Sequence, residues 1–163
     1  MSGLYFDESV ILLDIECTTK EDVLTKMGRN LVDKDLVKDS FIHAIISREE
    51  EFPTGLPTAG VSIAIPHTDV EHVNRKAISM GVLKNTVDFG VMGDDSGTAP
   101  VKLVFMLAMD EPHSQLSLLQ ELMQVFHNED TLKYLVSEKD KTNIKHLLEQ
   151  KLDFFALKGD AYK

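Results

Sequence analysis

Val61-Ser62-Ile63-Ala64-Ile65-Pro66-His67 is the stretch on which the reading of this chain turns. It alternates, it is rich in β-branched residues, and a proline closes it, which is the pattern of a short strand stopped by Pro66. His67 then stands just past the carboxyl end of that strand. Downstream, Ala77 to Lys84 and Val101 to Met109 read as two further strands. The second is so continuously apolar that both of its faces are expected to be covered. Met92-Gly93-Asp94-Asp95-Ser96-Gly97 supplies the turn ahead of it.

Helical patterns flank these strands on both sides. Thr18 with Glu21, or Thr19 with Asp22, resembles a capping start for a helix carrying Val23, Leu24, Met27 and Leu31 at three- and four-residue spacing. A second helix is expected from about Asp35, with Leu36, Phe41, Ile42, Ile45 and Ile46 as its apolar stripe and Arg48 on or beside that stripe. Pro53-Thr54-Gly55-Leu56-Pro57 reads as a turn-rich connection. Beyond Asp110-Glu111-Pro112, the residues Leu116, Leu119, Met123 and Phe126 mark an amphipathic helix with His113 at its start. His113 therefore also follows the carboxyl end of a strand. Leu132, Leu135, Ile144, Leu147 and Leu148 outline two short helices. The order predicts an α/β chain: a single-domain sandwich of a mixed β-sheet covered by helices on both faces, spanning residues 1–157, with a loosely held tail over 158–163.

Composition agrees with one packed domain, since 43% of the 163 residues are hydrophobic against 27% charged. Seventeen Lys and Arg against 27 Asp and Glu give a formal charge of −10, with no basic run to offset it, so nucleic acid is not an expected partner. Met1 to Glu8 has no basic leader region, and no apolar stretch is long enough to cross a bilayer, which points to a cytoplasmic protein. The single cysteine, Cys17, excludes an internal disulfide framework and reads as a small buried side chain.

In open α/β sheets ligands gather outside the carboxyl ends of strands, where a following helix offers unpaired N–H groups. His67 and His113 both fall there. A nucleophilic histidine must be neutral with one ring nitrogen free, so the other must donate to a neighbour. Thr68, Asp69, Glu71 or a backbone carbonyl are the candidate acceptors, and Pro66 stiffens the approach. Spacing alone leaves His67 equally readable as a polar residue that ends a strand. Arg48 offers forked donors that match phosphoryl oxygens, or else serves as an exposed partner for Glu49-Glu50-Glu51. His113 is readable as a second donor to those oxygens, aided by the N–H groups of Ser114 and Gln115, or as a lone histidine at a helix start. A metal site built from His67, Asp69, Glu71 and His72 is disfavoured: the histidines are five apart, and no His-Glu-x-x-His or paired-cysteine pattern occurs. No metal and no cofactor are expected. His43, His127 and His146 fall within helical patterns and read as surface or boundary residues.

Thr54-Gly55-Leu56-Pro57, then Ile63-Ala64-Ile65-Pro66-His67, then His113 followed by Leu116, Leu118, Leu119, Leu122 and Phe126, together resemble the enzyme IIA components of the bacterial sugar phosphotransferase system, fructose–mannitol family. The resemblance runs from about Val10 to Leu152. It implies a domain that takes phosphate from the phosphohistidine of the small histidine-containing phosphocarrier protein and passes it to a cysteine of a cognate enzyme IIB. By the same resemblance His67 is the phosphorylated histidine and His113 the second active-site histidine. Arg48 is the arginine that ends the helix before the active strand, and Glu71 is an acidic position four after the histidine. Pro53 and Pro57, in place of a Gly-rich link, together with Asp69 and His72, lean toward galactitol-like members. Cys17 lies in no Cys-centred phosphate loop, so no fused enzyme IIB is implied, and the membrane enzyme IIC is expected as a separate chain. The family also contains nitrogen-related members that regulate partners through their phosphorylation state, which is the alternative role. Successive docking of a donor and an acceptor predicts an apolar rim around His67, contributed by Ile65, Leu56 and their neighbours.

Overall fold

Thr19 starts the first helix, α1 (Lys20–Asp33): its hydroxyl accepts the Asp22 N–H at 3.2 Å, the second of the two capping patterns expected. Val23, Leu24, Met27 and Leu31 are fully buried along one face. Asp35 then adopts a left-handed φ of 58°. Leu36 to Lys38 run extended against residues 72–75, with Lys38 N–H on the His72 carbonyl and Asn74 N–H on the Leu36 carbonyl, both at 2.9 Å. The second helix, α2 (Ser40–Glu51), therefore begins later than the expected Asp35, because backbone partners outside a helix claim Leu36 to Lys38.

The computed structural model describes residues 4–58 and 60–152, without the side chains of Asp95 and residues 112–115; the expected tail over 158–163 lies outside the described residues. Five strands form one mixed sheet: β1 (Ile11–Ile15), β2 (Gly55–Leu56), β3 (Ser62–Ala64), β4 (Ala77–Val91) and β5 (Asp94–Ala108). β1 runs parallel to β4, β4 antiparallel to β5, β5 parallel to β3, and β3 antiparallel to β2. β2 then meets the far end of β4 through Gly55 and Val91. That meeting is possible only for glycine, since a Cβ on Gly55 would stand 2.4 Å from the Gly90 carbonyl oxygen.

β4 and β5 form one long hairpin around Met92-Gly93, where Gly93 takes a φ of 77°. β4 bulges between Val82 and Val87, which pair with Leu103 and Val101. Before the bulge β4 is buried on both sides; after it, burial alternates. Helices cover both faces. A Cβ on Gly81 would strike Met27 of α1, whereas Phe105, paired with the adjacent Met80, packs its ring 5.4 Å from Phe126 of α3 (Pro112–Phe126). Because neighbouring strand residues face opposite ways, α1 and α3 lie on opposite sides of the sheet. α2 packs on α1, with Ile42 against Gly28, and α4 (Glu129–Ser137) follows α3. α5 (Lys141–Lys151) buries Ile144 and Leu148.

The apolar stripe of α3 is rotated from the expected one. Leu118, Leu122, Val125 and Phe126 face the core, while Leu116 and Met123 are exposed. Cys17 is half-buried, and that burial raises its thiol pKa.

Candidate active site

β3 and β5 run parallel as neighbours, so their carboxyl ends fall on one edge of the sheet. The chain leaves β3 at Ala64 and continues the same alignment for three more residues: the Pro66 carbonyl accepts the Leu107 N–H at 2.9 Å, and His67 bridges Leu107. His67 is thus held at the edge by backbone pairing as well as by the fixed φ of Pro66. Its Nδ1 lies 2.8 Å from the carbonyl oxygen of Ile65. A carbonyl can only accept, so Nδ1 carries the proton and Nε2 keeps its lone pair. Among the acceptors the sequence offers, the backbone carbonyl holds the ring. Burial pushes the His67 pKa below its ordinary value; the Ile65 hydrogen bond opposes that shift and the positive charge of Arg48 adds to it.

Arg48 occupies the last turn of α2, half-buried, with Nη1 3.5 Å from Asp69 Oδ1 and its guanidinium 4.8 Å from the centroid of the Phe52 ring. It pairs with Asp69, two residues beyond His67, rather than with the acidic run beside it in sequence. Of that run, Glu50 reaches Lys20 at 3.9 Å, and Glu49 is turned inward.

Glu49 is the residue that sequence reading missed. It is 2% exposed and accepts both the Thr54 N–H, at 2.7 Å, and the Thr54 hydroxyl, at 2.8 Å. Thr54 Oγ1 in turn accepts the Ile65 N–H at 3.2 Å. The signal was present in the sequence: Phe41, Ile45 and Glu49 share one four-residue stripe.

His113 lies in the first turn of α3, after the end of β5, as its position past a strand implied. Its side chain is outside the described residues. Glu71 sits in a short 3-10 turn with its carboxylate exposed and 3.7 Å from His72 Nε2. His72 Nδ1 is 2.8 Å from the Ser40 hydroxyl. Among the described residues no three His, Cys, Asp or Glu side chains converge as a metal would need.

The expected apolar rim is corrected in part. Ile65 is 1% exposed and belongs to the core. Leu56 lines a depression with Pro57, Met123 and Phe126 that His67 does not border. Phe52 is a large apolar side chain exposed beside Arg48. Among the described residues no helix is long and apolar enough to cross a membrane.

A histidine with Nδ1 committed to a backbone carbonyl at the parallel edge of a helix-covered mixed sheet, with an arginine beside it, is chemically suited to handling a phosphoryl group. The chain belongs to the family described as phosphoenolpyruvate-dependent sugar phosphotransferase system, EIIA 2, which it matches over residues 4–151. It is similar to the galactitol-specific EIIA component of Escherichia coli (strain K12), at 33% identity over 137 residues, 84% of this chain and 87% of that protein. It also resembles the mannitol-specific phosphotransferase enzyme IIA component of Staphylococcus aureus (strain N315), at 29% identity over 92% of this chain and 98% of that one. Its fold is shared with a solved complex of enzyme IIAMtl and phosphorylated enzyme IIBMtl from Escherichia coli, with a TM-score of 0.74 and 22% identity over 90% of this chain and 99% of that chain. The family supports a phosphoryl-carrier role within a sugar transport system.

Proposed function

We propose that Nε2 of His67 accepts a phosphoryl group from the phosphohistidine of the small phosphocarrier protein and delivers it to a cysteine of a sugar-specific enzyme IIB. The observation that carries this reading is the 2.8 Å contact from His67 Nδ1 to the Ile65 carbonyl, which leaves Nε2 as the free nucleophile. In the first step the lone pair of Nε2 forms the new N–P bond as the donor's N–P bond breaks and the donor imidazole leaves. In the second, a cysteine thiolate attacks the same phosphorus, an S–P bond forms, and the His67 N–P electron pair returns to the ring. Arg48 and the first-turn N–H groups of α3 stabilise the equatorial oxygens in both steps, with His113 as a further donor from that turn.

The solved IIA–phosphorylated IIB complex of a relative with the same fold supports enzyme IIB as the acceptor, and the 33% identity to a galactitol-specific component favours a galactitol-type partner. The membrane enzyme IIC is engaged only through that partner, from the cytoplasmic side. The test is intact-mass analysis after incubation with phosphoenolpyruvate, enzyme I and the phosphocarrier protein, followed by addition of enzyme IIB. Wild type is expected to gain one acid-labile phosphoryl group and lose it to galactitol-type IIB faster than to mannitol-type IIB. Equal labelling of His67→Ala would overturn the assignment. A stable phosphoprotein that no IIB discharges would favour a regulatory role.

A further inference from the structure

Glu49 is a buried acid that the phosphoryl-transfer scheme does not use, and its hydrogen bonds lead toward His67. We propose that Glu49 and Thr54 are positioning residues: through the Ile65 backbone they set the ring tautomer of His67. The inference rests on Nε2 of His67 being the reactive atom.

Each link is a directed hydrogen bond. Both Glu49 carboxylate oxygens accept from Thr54, one from its N–H and one from its hydroxyl. With its proton committed to Glu49, Thr54 Oγ1 has only lone pairs to offer, and it accepts the Ile65 N–H at 3.2 Å. One residue on, the Pro66 carbonyl is fixed by the Leu107 N–H at 2.9 Å. The Ile65 carbonyl lies between these two anchors and receives Nδ1–H of His67 at 2.8 Å. β2 and β3 pair only over Gly55–Leu56 and Ile63–Ala64, so at Ile65 the Thr54 hydroxyl stands where the ladder would otherwise have continued. Burial raises the Glu49 pKa while the Thr54 bonds oppose the shift. A carboxylate kept at 2% exposure is costly, and both of its hydrogen bonds go to Thr54, the residue that holds Ile65 two positions before His67.

The experiment uses Thr54→Val, which keeps the shape and removes the hydroxyl, with Thr54→Ser to restore it, and Glu49→Ala with Glu49→Gln, which keeps the shape but only one of the two acceptor oxygens. Long-range nitrogen–proton NMR of the imidazole reads the tautomer without any donor protein, so this arm stands even if the phosphoryl-carrier reading fails. Wild type should hold the proton on Nδ1. Thr54→Val and Glu49→Ala should admit a visible Nε2–H form and slow phosphoryl acceptance by roughly 10- to 100-fold, the cost typical of a lost orienting partner. Thr54→Ser should return toward wild type in both readouts, and Glu49→Gln, which has an NH2 donor in place of one acceptor oxygen, should fall between Glu49→Ala and wild type. If Thr54→Val keeps the wild-type tautomer and rate, the positioning role is refuted whatever happens to its melting temperature. If Glu49→Ala fails to fold, Thr54→Val still decides the matter.

Discussion

In the proposed transfer the imidazole of His67 has to remain uncharged before the reaction and then carry a doubly charged group after it. The first demand is met by burial, which disfavours the protonated ring, with Arg48 acting in the same direction. The neutral form is the one that reacts, so the rate of phosphoryl acceptance should stay flat as pH falls through about 6.5, the ordinary histidine value, and decline only below it. An NMR titration of the His67 ring with a midpoint above that value would contradict the site as described. Arg48 serves the second demand. Arg48→Ala should raise the His67 midpoint and slow transfer by the equivalent of about 2–4 kcal/mol, by analogy with removal of a single oxyanion donor. Its melting curve should move little, because the arginine is half-exposed. The place of His67 at a strand end was legible from Ile63 to Pro66. The ring's partner was not, because Thr68, Asp69 and Glu71 compete with every nearby carbonyl, and only the path of the backbone after Ala64 chooses among them.

At the level of elements, the two strands the sequence hid are the two that lack a pattern of their own. β1 is five residues with an uneven burial pattern, and β2 is two residues inside a segment whose prolines and glycine read as turn. Neither is long enough to show a period. β4 and β5 were seen only through their doubly buried halves, since beyond the bulge β4 mixes polar and apolar residues as a half-exposed strand does. The stripe of α3 was misjudged because Leu116, Leu118, Leu119, Leu122 and Met123 offer two overlapping helical faces, and only the sheet beneath selects one. Glu49 was absorbed into an acidic run because its stripe partners are apolar. A prediction belongs to β2: Gly55→Ala brings a Cβ against the Gly90 carbonyl and should destabilise the fold by about 1–3 kcal/mol, measured by urea unfolding. Wild-type stability of that variant would mean the contact between β2 and β4 is looser than described.

For the molecule as a whole, stability rests on a core in which Phe105 is fully buried between strand neighbours and Phe126, and Phe105→Ala should cost about 3–5 kcal/mol in thermal or urea unfolding. Transfer, in contrast, depends on encounter. A chain of formal charge −10 is steered fastest to a partner presenting positive charge, so second-order transfer from the phosphocarrier protein should slow as salt shortens the Debye length, with the unimolecular step unchanged. Stopped-flow rates at several ionic strengths check this; a rate that ignores salt would place the docking energy in apolar contact instead. The hairpin of β4 and β5 has a practical use in following that encounter. Its turn at Met92-Gly93 folds back onto β2, with the Met92 N–H on the Gly55 carbonyl at 2.8 Å, and Met92 is exposed. The chain's own thiol, Cys17, is half-buried with a raised pKa, which slows alkylation. A Met92→Cys variant is therefore a selective handle for a fluorescent dye or a surface tether, reporting the arrival of each partner from a turn anchored to β2.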